Sequence, residues 1–158
     1  VMEADIYSTV EAVKIADAGA QAIQLHTCGL CHMDAGMVAQ GLAEFDTKGL
    51  DLLVLENIGN LVCTAEFDTG SVCNVAILSV PEGDDKPLKY PLMFSICDVI
   101  LVNKTDTLPV FEFDMTAFAQ RVSRLRPKVK IIPVSAKTGE GFDVWADWLR
   151  RQVNDWKK

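Results

Sequence analysis

Cys28, Cys31 and His32 stand in the run "HTCGLCHMD" at positions 26–34. Two thiols followed at once by an imidazole allow three chemistries. The thiols could add to the vinyl groups of a haem whose iron His32 then ligates; the run could be half of a zinc site; or the thiols could form a redox pair. The haem reading needs an oxidising compartment and a helical pocket. The redox reading needs the motif to open a helix after a strand in a smaller fold. The rest of the chain must choose between them.

A second set of residues has a different chemistry. The run "DVILVNKTD" (98–106) is an apolar strand that ends in Asn103, Lys104 and Asp106, at the carboxyl edge where open α/β sheets bind ligands. N-K-x-D is the guanine-reading motif of GTPases. The Asp106 carboxylate can accept from the N1–H and the exocyclic amine of guanine, a donor pair that adenine lacks. The Lys104 stem can lie across the purine face, and Asn103 can tie neighbouring loops together. Further on, "IIPVSAKTGEG" (131–141) places Ser135, Ala136 and Lys137 after the next strand, where such a loop offers a backbone N–H to guanine O6. Glu56 and Gly59, in "DLLVLENIGN" (51–60), put an acidic residue at a strand end with glycine three positions on. That arrangement suits the sensing of magnesium and of a γ-phosphate. No G-x-x-x-x-G-K-S/T run occurs in this sequence, so these residues supply no phosphate cradle, and GTP should bind poorly and be hydrolysed hardly at all.

The elements that must hold these residues alternate along the chain. Strands are expected at 21–25, 51–56, 74–80, 98–103 and 130–135, several of them apolar on both faces, as in a parallel sheet covered by helices on each side. Helices are expected at 7–18, 33–47, 112–126 and 140–155, the last with Phe142, Trp145, Leu149 and Val153 on one stripe. The loop 81–91 reads as polar surface. This order predicts an α/β fold in one domain, 1–158. With 15 basic against 22 acidic residues the net charge is −7, so no basic surface is expected to track nucleic acid. No apolar run reaches the roughly 20 residues that cross a bilayer, and no membrane role is expected. Five cysteines, an odd and unevenly spaced set, do not form a disulfide framework and point to a reducing, cytoplasmic compartment. Cys73 and Cys97 read as small apolar core residues.

"CHMDAGMV", "ENIGNLVC", "EGDDKPLKYP", "NKTD" and "SAKTGEG", in that order, resemble HypB, the family of GTPases that help insert nickel during maturation of nickel–iron hydrogenase. The likeness runs from "ADIYSTVEA" to the last helix, and the urease accessory GTPases share the fold. The resemblance implies a P-loop NTPase-like (SIMIBI-type) three-layer α/β fold with a mainly parallel sheet. It also implies a copy incomplete at its N-terminus, with the first strand and phosphate loop missing. It places Asp5 where the family carries a magnesium-associated aspartate, so Asp5, Glu56 and Gly59 become the catalytic candidates. It places a metal site on Cys31, His32 and Cys63, a donor set suited to Ni2+ or Zn2+. The implied ligands are GTP or GDP with Mg2+. The implied partners are a second copy as a homodimer, a companion nickel chaperone and the hydrogenase large-subunit precursor. The sequence departs from the family at Cys28, usually glycine there, so the C-x-x-C-H appearance is read as an accident of that residue, with Cys28 a further candidate ligand. His26 reads as a loop residue. The rival readings are a nucleotide-independent metal-binding module, a urease-type nickel accessory GTPase, and, remotely, a haem or thiol-redox protein.

Overall fold

The run Val99–Val102 is buried throughout, which a strand achieves only when both faces of its sheet are covered. In the computed structural model, which describes residues 1–5, 10–27 and 29–158, with Asp5 and Glu11 at the backbone only, this run is the centre of a parallel sheet. Its neighbours are β4 (Val75–Ser79) and β6 (Lys130–Pro133), on either side of β5 (Val99–Asn103). The faces divide by the two-residue period of a strand. Ile100 and Val102 join Ala76, Leu78, Phe94, Phe118 and Val122 in one core. Val99 and Leu101 join Ile132, Val134 and Trp148 in another. Helices α5 (Pro91–Ile96) and α6 (Met115–Leu125) therefore cover the first face and α7 (Phe142–Trp156) the second.

A second sheet, also parallel, has the order β2-β1-β3, from β1 (Met2–Asp5), β2 (Ile23–His26) and β3 (Leu55–Glu56). Helix α1 (Val10–Asp17) links β1 to β2, and α2 (Ala35–Glu44) follows β2. Asp34 caps α2 by accepting from the Met37 N–H at 2.9 Å. Gly41 lets that helix seat on the sheet, because a Cβ there would meet the Met2 side chain and lie 2.7 Å from Leu25. The two sheets belong to two compact units, Val1–Val72 and Cys73–Lys158. The expectation of one domain over 1–158 thus meets two sheets, each with its own buried residues.

The expected order of strands and helices is found, with several corrections. The strand read over 51–56 is found as Leu55–Glu56, the residues that pair with Met2 and Glu3 of β1, while Asp51, Leu52 and Val54 are exposed. The segment read as a polar loop over 81–91 contains a 3-10 turn (Val80–Glu82) and α4 (Lys86–Lys89), and Pro91 opens α5. Pro87 and Pro91 sit in first helical turns, where proline removes no needed N–H. Arg121 of α6 ties this segment down through the Asp84 carboxylate at 2.5 Å. Val75 and Ile77 of β4 are exposed although the strand reads as apolar on both faces; the core beneath α7 draws on β5 and β6. His26 closes β2 and is not a loop residue. Residues 7–9 of the expected first helix lie outside the described residues. Among the described residues no helix is long and apolar enough to cross a membrane.

Cys97 behaves as a core residue. It is 1% exposed, its thiol donates to the Met93 carbonyl at 3.0 Å, and burial pushes its pKa up to about 12. At pH 8 its thiolate fraction is then on the order of one in ten thousand. Brief iodoacetamide treatment of the folded chain at pH 8 should label exposed Cys31 and leave Cys97 unmodified until denaturant is added, as peptide mass spectrometry would report.

Candidate functional site

Parallel strands deliver their following loops to one edge of a sheet, and that fact builds both candidate sites. In the second unit the carboxyl ends of β5 and β6 lead into the Asn103–Asp106 and Val134–Lys137 segments. Asn103 Oδ1 accepts from the Lys104 N–H at 2.7 Å and from the Ala136 N–H at 3.1 Å. Thr105 donates from N and from Oγ1 to the Val134 carbonyl, at 3.2 and 3.1 Å. Asp106 Oδ1 accepts from the buried Ser135 hydroxyl at 2.7 Å, while Oδ2 lies 4.0 Å from the Lys137 ammonium. The two loops are thus sewn together by the residues that the motifs name.

Lys104 adopts the left-handed backbone conformation, φ +62°, which costs a non-glycine residue about 1–2 kcal/mol. The surrounding bonds hold it there, and its exposed side chain is available to cover a flat ring. Asn103 performs the tying role expected of it. Ala136 differs in one respect from its expected use, since its N–H is already engaged by Asn103. The Asp106 carboxylate is only partly buried, at 20% exposure, and retains lone pairs for a pair of donors.

In the first unit, β1, β2 and β3 end at Asp5, His26 and Glu56, on one edge of their sheet. The Asp5 side chain lies outside the described set; Glu56 and Gly59 are exposed. The loops after β2 and β3 leave from that edge and meet. Cys31, exposed, and Cys63, half-buried at the start of the short helix α3 (Cys63–Glu66), are near enough for the Cys31 thiol to act on that of Cys63. That proximity, followed by burial, pushes the Cys63 thiol above its ordinary pKa. Cys31 Sγ lies 3.9 Å from His32 Nδ1.

His32 does not complete a ready-made cluster. Its ring stacks on Phe67 with centroids 3.5 Å apart and planes 9° from parallel, and among the described residues no three His, Cys, Asp or Glu side chains are gathered around a metal-sized point. The predicted trio is therefore brought into adjoining loops, with Cys31 beside His32, but its three donors do not converge. Cys28 lies outside the described residues. Sequence reasoning missed Asn57, Asn60 and Phe67. Asn60 carried a signal, since an asparagine side chain favours a turn by accepting from the backbone just after it, and Val62 N and Cys63 N do donate to its Oδ1 at 3.1 and 2.8 Å.

The family description "CobW/HypB/UreG, nucleotide-binding domain" matches residues 1–133. The chain is 47% identical over 152 residues to the hydrogenase maturation factor HypB of Azotobacter vinelandii, covering 96% of this chain and 50% of that protein. It is 43% identical to the HypB of Escherichia coli K12, covering 96% and 52%. Helicobacter hepaticus has a relative, 35% identical, named a hydrogenase/urease maturation factor. The chain spans about half the length of the first two relatives. Among solved structures, HypB from Helicobacter pylori in complex with nickel superposes with a TM-score of 0.92 at 32% identity, covering 98% of this chain and 74% of that one. HypB from Archaeoglobus fulgidus superposes with a TM-score of 0.86 at 35% identity, covering 96% and 74%. The α/β architecture of parallel sheets and the residue motifs agree with these likenesses, and the chain belongs to the HypB group of the CobW/HypB/UreG nucleotide-binding family.

Proposed function

We propose that this chain belongs to a guanine-nucleotide-controlled nickel carrier that serves hydrogenase maturation. The observation that carries the metal half of the reading is the joining of the Cys31 and Cys63 loops through Asn60, which bonds the Cys31 carbonyl and the Cys63 N–H, with an imidazole 3.9 Å from Cys31 Sγ. The donor chemistry fits. Metal–sulfur and metal–nitrogen bonds of about 2.3 and 2.0 Å at a tetrahedral angle hold S and N about 3.5 Å apart. A small turn of His32 on Phe67 would supply that geometry. Two thiolates and one imidazole suit Ni2+ and Zn2+ alike. An incomplete donor set is what a carrier that must release its cargo requires.

The nucleotide half rests on the interlocked loops of β5 and β6. Asp106 selects guanine, Lys104 covers the base, Asn103 and Ser135 hold the loops, and Ala136 and Lys137 contribute the edge facing O6. Asp5 and Glu56 end adjacent strands at one sheet edge and would hold Mg2+, which when bound screens phosphate charge. Gly59 would meet the γ-phosphate, and GTP hydrolysis would time the transfer. Because Gly59 and Cys63 lie in one segment, nucleotide state and metal affinity are coupled reciprocally. A homodimer, a companion nickel chaperone and the hydrogenase large-subunit precursor are the partners, in the cytoplasm. The relative named for both hydrogenase and urease maturation favours a second reading, in which the recipient is a urease.

The test is a nickel titration of the reduced chain, with and without GDP, following thiolate-to-nickel absorption beside Cys63→Ala and Cys28→Ala. Cys63→Ala is expected to abolish the band and Cys28→Ala to leave it unchanged. A silent Cys63→Ala with a damaging Cys28→Ala would make the C-x-x-C-H the true site and end the coupling mechanism.

A further inference from the structure

Two asparagines of the β3 loop grip the backbone on either side of His32. Asn57 Oδ1 accepts from the Met33 N–H at 3.0 Å and from the Ile58 N–H at 2.9 Å. Asn60 Nδ2 donates to the Cys31 carbonyl at 2.5 Å, while its Oδ1 accepts from the Val62, Cys63 and Thr64 N–H groups at 3.1, 2.8 and 3.5 Å. One side chain therefore holds the backbone of one candidate ligand with its amine and the backbone of another with its carbonyl. Met33 is fully buried, so the His32 segment is anchored on its far side as well, and Phe67 stacks on the ring from just beyond the same helix.

We infer that Asn60 is a positioning residue that sets the spacing of Cys31 and Cys63 for nickel, with Asn57 fixing the far end of the same grip. The inference rests on the Cys31, His32 and Cys63 reading above. Gly59 lies between the two asparagines, so a displacement at Gly59 pulls on both clasps and reaches the ligands through hydrogen bonds. Side chains that orient metal ligands typically change affinity 10- to 100-fold when lost.

The two clasps use opposite ends of the amide, and that makes the inference testable. Aspartate at 57 keeps the Oδ1 acceptor on which the Met33 bond depends. Aspartate at 60 keeps the cap on α3 but cannot donate to the Cys31 carbonyl. Both add one negative charge beside the site, so Asn57→Asp controls for charge. In nickel titrations of the reduced 158-residue chain, Asn60→Asp should bind about ten-fold more weakly, with a shifted thiolate-to-nickel band and an unchanged melting temperature. Asn57→Asp carries the same added charge with its clasp kept, so Asn60→Asp should bind about ten-fold more weakly than Asn57→Asp as well. Should Asn60→Asp fold poorly, Asn60→Ser keeps a capping oxygen, lacks the reach to Cys31, and should show the same ten-fold loss. Parent-like binding by a folded Asn60 variant, or equal losses in the two aspartate variants, overturns the inference and leaves Asn60 a helix cap. A nickel band that survives Cys63→Ala instead marks failure of the ligand reading, whatever the asparagine variants do.

Discussion

Asp106→Asn is expected to lower affinity for GDP about 100-fold or more and to reverse the base preference. The Asp106 carboxylate would accept from two guanine donors, and hydrogen bonds to a charged acceptor contribute roughly 1.5–3 kcal/mol each. An amide at this position turns one acceptor into a donor that faces a donor on guanine. Xanthine carries a carbonyl where guanine has its exocyclic amine, so xanthosine diphosphate should become the better ligand. The fold should not suffer, because the Oδ1 that accepts from Ser135 at 2.7 Å has a counterpart in asparagine. Saturation-transfer NMR at high nucleotide concentration is a suitable measurement. Equal GDP signals from parent and variant, with melting temperatures matched, would remove Asp106 from the base site.

Gly141→Ala is expected to be the most damaging single methyl addition near the guanine loops. Gly141 caps α7 with φ +75°, and a Cβ there would run into the Pro133 carbonyl oxygen and come within 3.2 Å of Val134. The left-handed conformation costs a non-glycine residue about 1–2 kcal/mol. The collision is with backbone of β6, which β5 and the core beneath α7 hold in place. Together these should cost about 3 kcal/mol, a large share of the stability of a small domain. In urea unfolding the midpoint should fall, and the melting temperature should drop by about 10–20 °C. The same turn supports the Ser135 loop, since Ser135 N donates to the Glu140 carbonyl at 3.0 Å and Gly139 N to the Ser135 carbonyl at 2.8 Å. Loss of guanine recognition should therefore accompany loss of stability. A midpoint within error of the parent would mean that β6 and the turn yield more readily than the packing implies.

Where hydrophobic pattern and position in the sheet agree, the sequence was readable in detail. Strand β5 is one such case, buried on both faces by its run of Val, Ile and Leu, and so is α6, whose start Asp114 marks by accepting from Thr116 and Ala117. Reading failed where tertiary pairing or proline placement decides. Leu52 and Val54 are exposed beside the paired residues of β3, and Pro87 and Pro91, which look like breakers, begin helices. Asn103, Asp106 and Ser135 were legible because their chemistry lies within two short runs at strand ends. The Cys31 and Cys63 pairing had no local period to reveal it; only the shared edge of β2 and β3 brings those loops together. Nor does spacing anticipate that His32 lies flat on Phe67.

All three tryptophans of the chain, Trp145, Trp148 and Trp156, lie on α7. Trp148 is nearly buried, and its ring stacks on that of Trp145 with centroids 5.4 Å apart. Intrinsic emission excited at the indole band is therefore a signal that originates in the Cys73–Lys158 unit. A tryptophan placed at exposed Val10 would give the other half its own lamp.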